Sequence, residues 1–252
     1  MTRAKKIRRP AGRPKACKAP GEAPARAADQ AAPASRGKTT VLVVDDHPIV
    51  RRGLVELVNS QPDLSVCAEA DSGAAALALL AELHCDLALI DLSLQDTTGI
   101  ELTRDLKTRH PELPVLILSM HDESVYAERA LHAGARGYLM KEEITSHILE
   151  AIRTVLSGRV YLSQPMTARL LDRAAGARTE AKSALSCLSD RELEIFEMIG
   201  QGLGTSAIAG RLHLSVKTVE THRAHLKEKL RLGSASELQY YAICWSQSRP
   251  RP

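Results

Sequence analysis

The sequence predicts an α/β fold, a doubly wound sheet of five parallel strands, followed by a small all-α domain. Three observations support this. Short apolar runs alternate with longer helical stretches from Thr40 to about Leu156, the polar residues of that region fall at the carboxyl ends of the runs, and no strand-like run follows Ser157.

The runs Val41-Leu42-Val43-Val44, Leu87-Ala88-Leu89-Ile90 and Val115-Leu116-Ile117-Leu118 are continuously apolar, as strands covered on both faces must be. Helical stretches at Pro48 to Asn59 and Ser72 to Leu83 separate them. Weaker strands at Ser65 to Ala70 and Gly137 to Leu139, with a closing helix around Ile144 to Leu156, complete five βα units. In such sheets the working groups lie just past the carboxyl ends of the strands. Asp45 and Asp46 follow the first run, Asp91 the third, Ser119 the fourth and Lys141 the fifth, so five polar groups converge on one crevice.

The C-terminal part reads as helices. Ser189 with Glu192 three residues later forms a capping box, and Leu193, Ile195, Phe196 and Ile199 give that helix its apolar face. Gly202 and Gly204 turn the chain into a short helix from about Thr205 to Leu212, with Thr205 expected to supply part of its cap. Ser215 then caps a longer helix reaching Leu230, in which Val219, His222, Leu226 and Leu230 form one stripe. Lys217, Thr218, Glu220, Thr221, Arg223, Ala224 and Lys227 fall largely on other faces, where basic side chains suit phosphates and small polar ones suit base edges.

A chain of 252 residues, 44% hydrophobic and 25% charged, suits two modest domains. Residues 1–38 read as a disordered basic tail rich in Ala and Pro, 39–158 as the α/β domain, 159–185 as a linker, 186–246 as the helical domain and 247–252 as a second disordered tail. Cys17, Cys67, Cys85, Cys187 and Cys244 are scattered without a C-x-x-C pair, which indicates neither a zinc site nor a disulfide framework. No apolar run reaches the roughly 18 residues of a membrane span, and the basic N-terminus lacks an apolar h-region. A cytoplasmic protein without a membrane partner is expected. The net charge of +4 is modest, so the placement of basic residues matters more than their sum.

Three carboxylates at neighbouring strand ends repel one another unless a cation balances them. Mg²⁺ suits such oxygen donors and usually completes its shell with phosphate oxygens. The crevice therefore looks built to bring a phosphoryl group to a carboxylate nucleophile.

Val43-Val44-Asp45-Asp46-His47, Asp91, Ser119 and Gly134-Ala135-Arg136-Gly137-Tyr138-Leu139-Met140-Lys141 resemble the receiver domain, a flavodoxin-like fold, of two-component response regulators. The resemblance implies that Asp91 accepts the phosphoryl group, and that Asp46, Asp91 and the Ser93 carbonyl ligate Mg²⁺ with Asp45 acting mainly through a metal-bound water. It implies that Lys141 pairs with the acceptor, that Ser119 moves onto a phosphoryl oxygen, and that Tyr138 turns inward with it. Leu94 and Gln95 replace the usual Met-Pro after the acceptor, and Ser93 and His121 lie where they can screen or guide an attacking water.

Leu188-Ser189-Asp190-Arg191-Glu192 and Leu214-Ser215-Val216-Lys217-Thr218-Val219-Glu220-Thr221-His222-Arg223 resemble the LuxR-type helix-turn-helix. The combined architecture resembles the NarL/FixJ response regulators. That resemblance implies transcription control through double-stranded DNA, with Thr205, Ser215, Lys217, Thr218, Glu220, Thr221, Arg223, Ala224 and Lys227 as DNA contacts. It further implies a sensor histidine kinase as partner and a homodimer on phosphorylation, with Leu238, Tyr241 and Ala242 in the dimer contact of a last helix at about Ser236 to Ile243.

Two rival functions leave different marks. A phosphohydrolase with an aspartate nucleophile places an Asp-x-Asp motif after its first strand, whereas here the best nucleophile follows the third, so no turnover of an external substrate is expected beyond the protein's own phosphorylation and slow dephosphorylation. A pure interaction module would not need the Asp91, Ser119 and Lys141 set. Arg9-Pro10-Ala11-Gly12-Arg13-Pro14-Lys15 looks like an AT-hook core for A·T-rich minor grooves, beside the plainer reading of a nonspecific basic tail.

Overall fold

The computed structural model describes residues 37–175 and 184–247. The AT-hook-like segment, residues 1–36 of the basic tail, residues 176–183 of the expected linker and the last five residues lie outside them.

Five parallel strands, β1 (Thr39–Val44), β2 (Leu64–Ala70), β3 (Leu87–Asp91), β4 (Val115–Ser119) and β5 (Gly137–Met140), form one sheet in the order β2-β1-β3-β4-β5. Helices α1 (Pro48–Asn59), α2 (Gly73–Glu82), α3 (Gly99–Arg109), α4 (Glu123–Ala133) and α5 (Ile144–Leu156) connect or close the strands. Both faces of the central strands are buried. Val41, Val43, Leu87, Leu89, Leu116 and Leu118 pack with α1 and α5 residues such as Leu54, Val58, Ile148 and Ile152. Leu42, Val44, Ala88, Ile90, Val115 and Ile117 pack with α2, α3 and α4. Continuous apolar runs became β1, β3 and β4 for this reason.

Two local features depart from the sequence reading. The register between β1 and β2 shifts at Val41/Leu42, so that Val66 and Ala68 are paired and Cys67 is skipped. That bulge sets Cys67 Sγ 2.6 Å from Cys85 Sγ, bringing together two thiols that looked scattered. The expected linker also contains regular structure, because α6 (Gln164–Ala174) forms within it and buries Met166. Tyr161 meets Gly137 as an isolated parallel bridge, carrying the chain back along β5 before α6 begins.

The C-terminal part is all helix among the described residues: α7 (Asp190–Gly200), α8 (Thr205–Arg211), α9 (Val216–Leu230) and α10 (Ala235–Gln247). Ser189 and Glu192 form the expected capping box on α7, and the Ser215 hydroxyl accepts from the Thr218 amide at the start of α9. The N-cap of α8 is Gly204 without a side-chain cap, so Thr205 does not make up for it. A missing cap costs on the order of 1 kcal/mol, which the burial of Ile208 and Ala209 offsets.

Two of the three expected dimer residues lie in the domain's own core. Leu238 and Ala242 are fully buried inside the helical domain, and Tyr241 meets Phe196 of α7 with ring centroids 5.8 Å apart. Alternate faces of α10 explain this: the stripe that looked available for a partner is needed to close the domain's own core over α7. Leu238→Ala is accordingly expected to destabilise the fold by about 2–5 kcal/mol. Denaturant unfolding checks this, and an unchanged midpoint with a selective loss of dimer would restore the original assignment.

Candidate functional site

The crevice lies at the carboxyl ends of β1, β3, β4 and β5. Asp45 is fully buried, Asp91 is 2% exposed, and Lys141, in the turn of 3₁₀ helix after β5, reaches between them. Its Nζ stands 2.8 Å from both Asp45 Oδ2 and Asp91 Oδ2. Asp45 also accepts from the His47 amide at 2.8 Å, and its carbonyl accepts from Arg51. Asp46 faces His47, whose Nδ1 lies 2.7 Å from its Oδ1. His47 itself was not singled out by the sequence, although it directly follows the acid pair.

Burial, and next to it the charge of Asp45, push Asp91 up to about 6 in spite of the opposing Lys141 ammonium. Lys141 is held above its ordinary value by Asp91 and Asp45, although burial works the other way. One ammonium therefore does not balance the acids. Ligand atoms of Asp45, Asp46, His47 and Asp91 lie within 4.8 Å of one another, and the excess negative charge on hard oxygen donors fits a hard divalent cation.

The backbone behind Asp91 has no slack. At Gly99, the first residue of α3, a Cβ would collide with the Asp91 carbonyl oxygen and stand 2.9 Å from the Leu92 Cα. Gly99→Ala should push the end of β3 away from α3, lowering both the melting temperature and any phosphoryl uptake that rests on the expected role of Asp91. Retention of both in that variant would show that the loop yields freely.

Ser119 is fully buried, and its hydroxyl accepts from the His121 amide at 2.8 Å. Tyr138 is already turned in: it is 1% exposed, and its hydroxyl donates to the His121 carbonyl at 2.8 Å. The expected inward rotation thus has no outward starting point here, because the neighbouring loop gives the phenol its buried partner. Ser119 and Tyr138 together hold the backbone of His121 from both sides.

The His121 side chain leads out of the α/β domain. Its Nδ1 lies 2.7 Å from Glu197 Oε2 on α7, and its Nε2 lies 3.1 Å from Ser93 Oγ, which donates to Glu194 Oε1 at 2.8 Å. Tyr126 of α4 donates to the same Glu197 oxygen. Ser93 and His121, expected to guide water at the acceptor, are instead bonded to two glutamates of the helical domain. Burial disfavours the charged imidazole, yet the hydrogen bond and charge of Glu197, with Glu194 and Asp91, hold its pKa above the ordinary range. Farther along the interface, Arg129 donates to Asp190 and to the carbonyls of Leu185 and Leu188, and Arg104 donates to Asp190 at 3.1 Å. Sequence reading missed all five acidic and basic partners, Glu194, Glu197, Asp190, Arg104 and Arg129, since their pairing depends on how the domains dock.

On α9 the expected contact residues form one accessible set. Lys217, Glu220, Thr221 and Ala224 are exposed, and Thr218, Arg223 and Lys227 are half-buried. Ser215 is exposed but caps the helix, and Thr205 is half-buried at the start of α8. Val219 and Leu226 face inward as the stripe predicts. Burial holds His222 below its ordinary range.

Comparison with known proteins fixes the class. The response regulator receiver domain family matches residues 41–153, and the bacterial regulatory proteins of the luxR family match residues 186–242. The chain is 36% identical over 209 residues to the oxygen regulatory protein NreC of Staphylococcus epidermidis, covering 81% of this chain and 96% of that one. It is 37% identical over 203 residues to the transcriptional activator protein ExaE of Pseudomonas putida, covering 81% and 95%. The chain belongs to the NarL/FixJ response regulators.

Among solved structures, a two-component response regulator of the LuxR family from Aurantimonas matches with 33% identity and a TM-score of 0.51, covering 55% of this chain and 99% of that one. RcsB from Salmonella enterica, bound to promoter DNA in the presence of the phosphomimetic BeF₃⁻, shares the fold at a TM-score of 0.54 and 23% identity, over 82% of this chain and 99% of that one. This response regulator joins a receiver to a LuxR-type DNA-binding domain and regulates transcription, so it is not a conventional enzyme. No described helix is long and apolar enough to cross a membrane.

Proposed function

We propose that phosphorylation of Asp91 by a sensor histidine kinase releases the DNA-binding domain from the receiver, and so controls dimerisation and DNA binding in the cytoplasm. The observation that carries this reading is His121: the two switch residues hold its backbone, while its side chain holds Glu197 of α7.

Asp46, Asp91 and the Ser93 carbonyl are the proposed Mg²⁺ ligands, with Asp45 acting through water. When bound, the ion balances the negative charge of the carboxylates and of an incoming phosphoryl group. A carboxylate oxygen of Asp91 attacks the phosphorus, the bond from phosphorus to the donor imidazole breaks, and the imidazole leaves with a proton. Turnover stops at the acyl phosphate until water hydrolyses it, so the receiver catalyses only its own modification.

The new dianion attracts Lys141 and offers the Ser119 hydroxyl an acceptor. On this reading the Ser119 side chain swings toward that acceptor and leaves the His121 amide from which it now accepts. His121 then loses one of its two backbone supports, beside a phosphoryl charge that also repels Glu194 and Glu197. A local charge change thereby biases a two-state docking contact. The freed domain would read DNA through α9 with Lys217, Thr218, Glu220, Thr221, Arg223, Ala224 and Lys227, flanked by Thr205 and Ser215. Dimer contact would use the outer face of α10, where Tyr240 is 72% exposed.

The test is fluorescence anisotropy with a genomic fragment pool, with and without Mg²⁺ and acetyl phosphate, alongside light scattering. Phosphodonor-dependent binding and dimerisation support the switch. Binding and mass that ignore the phosphodonor, while Asp91 takes up phosphate, would leave the receiver and the DNA-binding domain uncoupled.

A further inference from the structure

The helical domain holds a second cluster of metal-ligating side chains, remote in sequence from the receiver acids. Glu192 of α7 and His222 and His225 of α9 each present a ligand atom within 4.8 Å of the others. His222 and His225 are three residues apart on a helix, a spacing that puts both imidazoles on one face. Glu192 lies opposite that face at the first turn of α7, its side chain 4% exposed.

We propose that Glu192, His222 and His225 form a site for a borderline transition-metal ion, with Zn²⁺ as its type. Two imidazoles and one carboxylate are a donor set that Zn²⁺ accepts with a water in the fourth place, and one that Mg²⁺ does not favour.

Three features support a built site over a chance cluster. Glu192 Oε2 accepts from the Ser189 amide at 2.7 Å and from Lys229 Nζ at 2.6 Å, the kind of outer hydrogen bonds that fix a ligating carboxylate. That leaves Oε1 toward His225, 3.9 Å from its Nδ1. Ligands at about 2.0–2.2 Å in a tetrahedron stand roughly 3.3–3.6 Å apart, so this pair needs only a small inward movement, and the His225 side chain, 54% exposed, can provide it. Finally, His222 Nδ1 is buried without a hydrogen-bond partner, which is costly for a polar atom in a folded domain. The exposed His225 also leaves the ion a path in.

A bound ion would tie the start of α7 to the middle of the DNA-reading helix. It would stabilise the helical domain by mass action and hold α9 at one angle to α7. The site is independent of Asp91, so it stands or falls apart from the phosphorylation switch.

The experiment is calorimetric titration of the full-length protein with Zn²⁺, in excess Mg²⁺ to occupy the receiver acids and with the thiols kept reduced. Wild type, His225→Ala and His225→Cys are compared, and Co²⁺ spectra are recorded on the same three. The expected result is one Zn²⁺ equivalent in wild type that is weakened at least tenfold in His225→Ala. In His225→Cys, binding should persist and the Co²⁺ spectrum should gain a thiolate charge-transfer band. Equal Zn²⁺ affinity in wild type and His225→Ala overturns the proposal. So does a thiolate band already present in wild type, which would place the ion on a cysteine.

Discussion

Asp91→Asn is expected to abolish phosphoryl uptake from acetyl phosphate while raising the melting temperature of the Mg²⁺-free protein at pH 7. The amide keeps the shape of the side chain but has no nucleophilic carboxylate oxygen, so the acyl phosphate cannot form. The stability change follows from proton linkage. Asp91 is shifted from 3.8 to about 6 by burial and Asp45, against the pull of Lys141. The folded state then binds more protons than the unfolded state between those values, and stability falls as pH rises through that window. At pH 7 the wild type bears the full cost of the ionised group and the Asn variant does not. The gain should show as a few degrees, at roughly 2–4 °C per kcal/mol for a chain of this size, and it should vanish below about pH 4. Phosphate incorporation by mass spectrometry and melting curves across pH check both halves. Uptake that survives in the variant would move the acceptor to another residue.

Glu197→Ala should raise the DNA affinity of the unphosphorylated protein on the order of a hundredfold by freeing the domain to dimerise, since the α9 residues are already accessible in the docked form. Removing one member of a buried ion pair costs about 3–5 kcal/mol, and here the loss also strips the buried Tyr126 hydroxyl of the Glu197 oxygen to which it donates. The cheaper outcome is undocking, which exposes the partners to water. Where only an undocked fraction binds, apparent affinity scales with that fraction, and about 1.4 kcal/mol corresponds to each factor of ten. Arg129→Ala attacks the same contact from the receiver side through Asp190, Leu185 and Leu188, and should act in the same direction. Anisotropy and small-angle scattering on both variants measure binding and opening together. If neither variant changes affinity or radius, docking of α7 does not restrain the DNA-reading helix.

The sheet and the polar crevice were legible because their causes are local. Three uninterrupted apolar runs specify strands buried on both faces, and Asp45, Asp46, Asp91, Ser119 and Lys141 mark the strand ends by position alone. The capping box of Ser189 and Glu192 and the stripe Val219, Leu226 likewise need only neighbours within a helix. What stayed hidden depends on partners far away in the chain. Leu238 and Ala242 read as available because nothing near them shows that α7 requires their face. Glu194 and Glu197 read as ordinary acids on a helix, since their pairing with Ser93 and His121 is created only by docking. The helix α6 was hidden because the composition after Ser157, with Ala174-Ala175-Gly176-Ala177, favours reading the whole segment as linker.

The hydrogen bond from Ser93 to Glu194 ties the DNA-binding domain to the chain two residues past Asp91. A contact that phosphorylation weakens is, by reciprocity, a contact whose weakening favours phosphorylation. If phosphorylation weakens this contact as proposed, operator DNA that captures the freed domain acts as an effector of the receiver. On the proposed switch, an occupied promoter shifts the phosphorylation equilibrium of its own regulator, so the output would depend on the number of open sites as well as on the kinase.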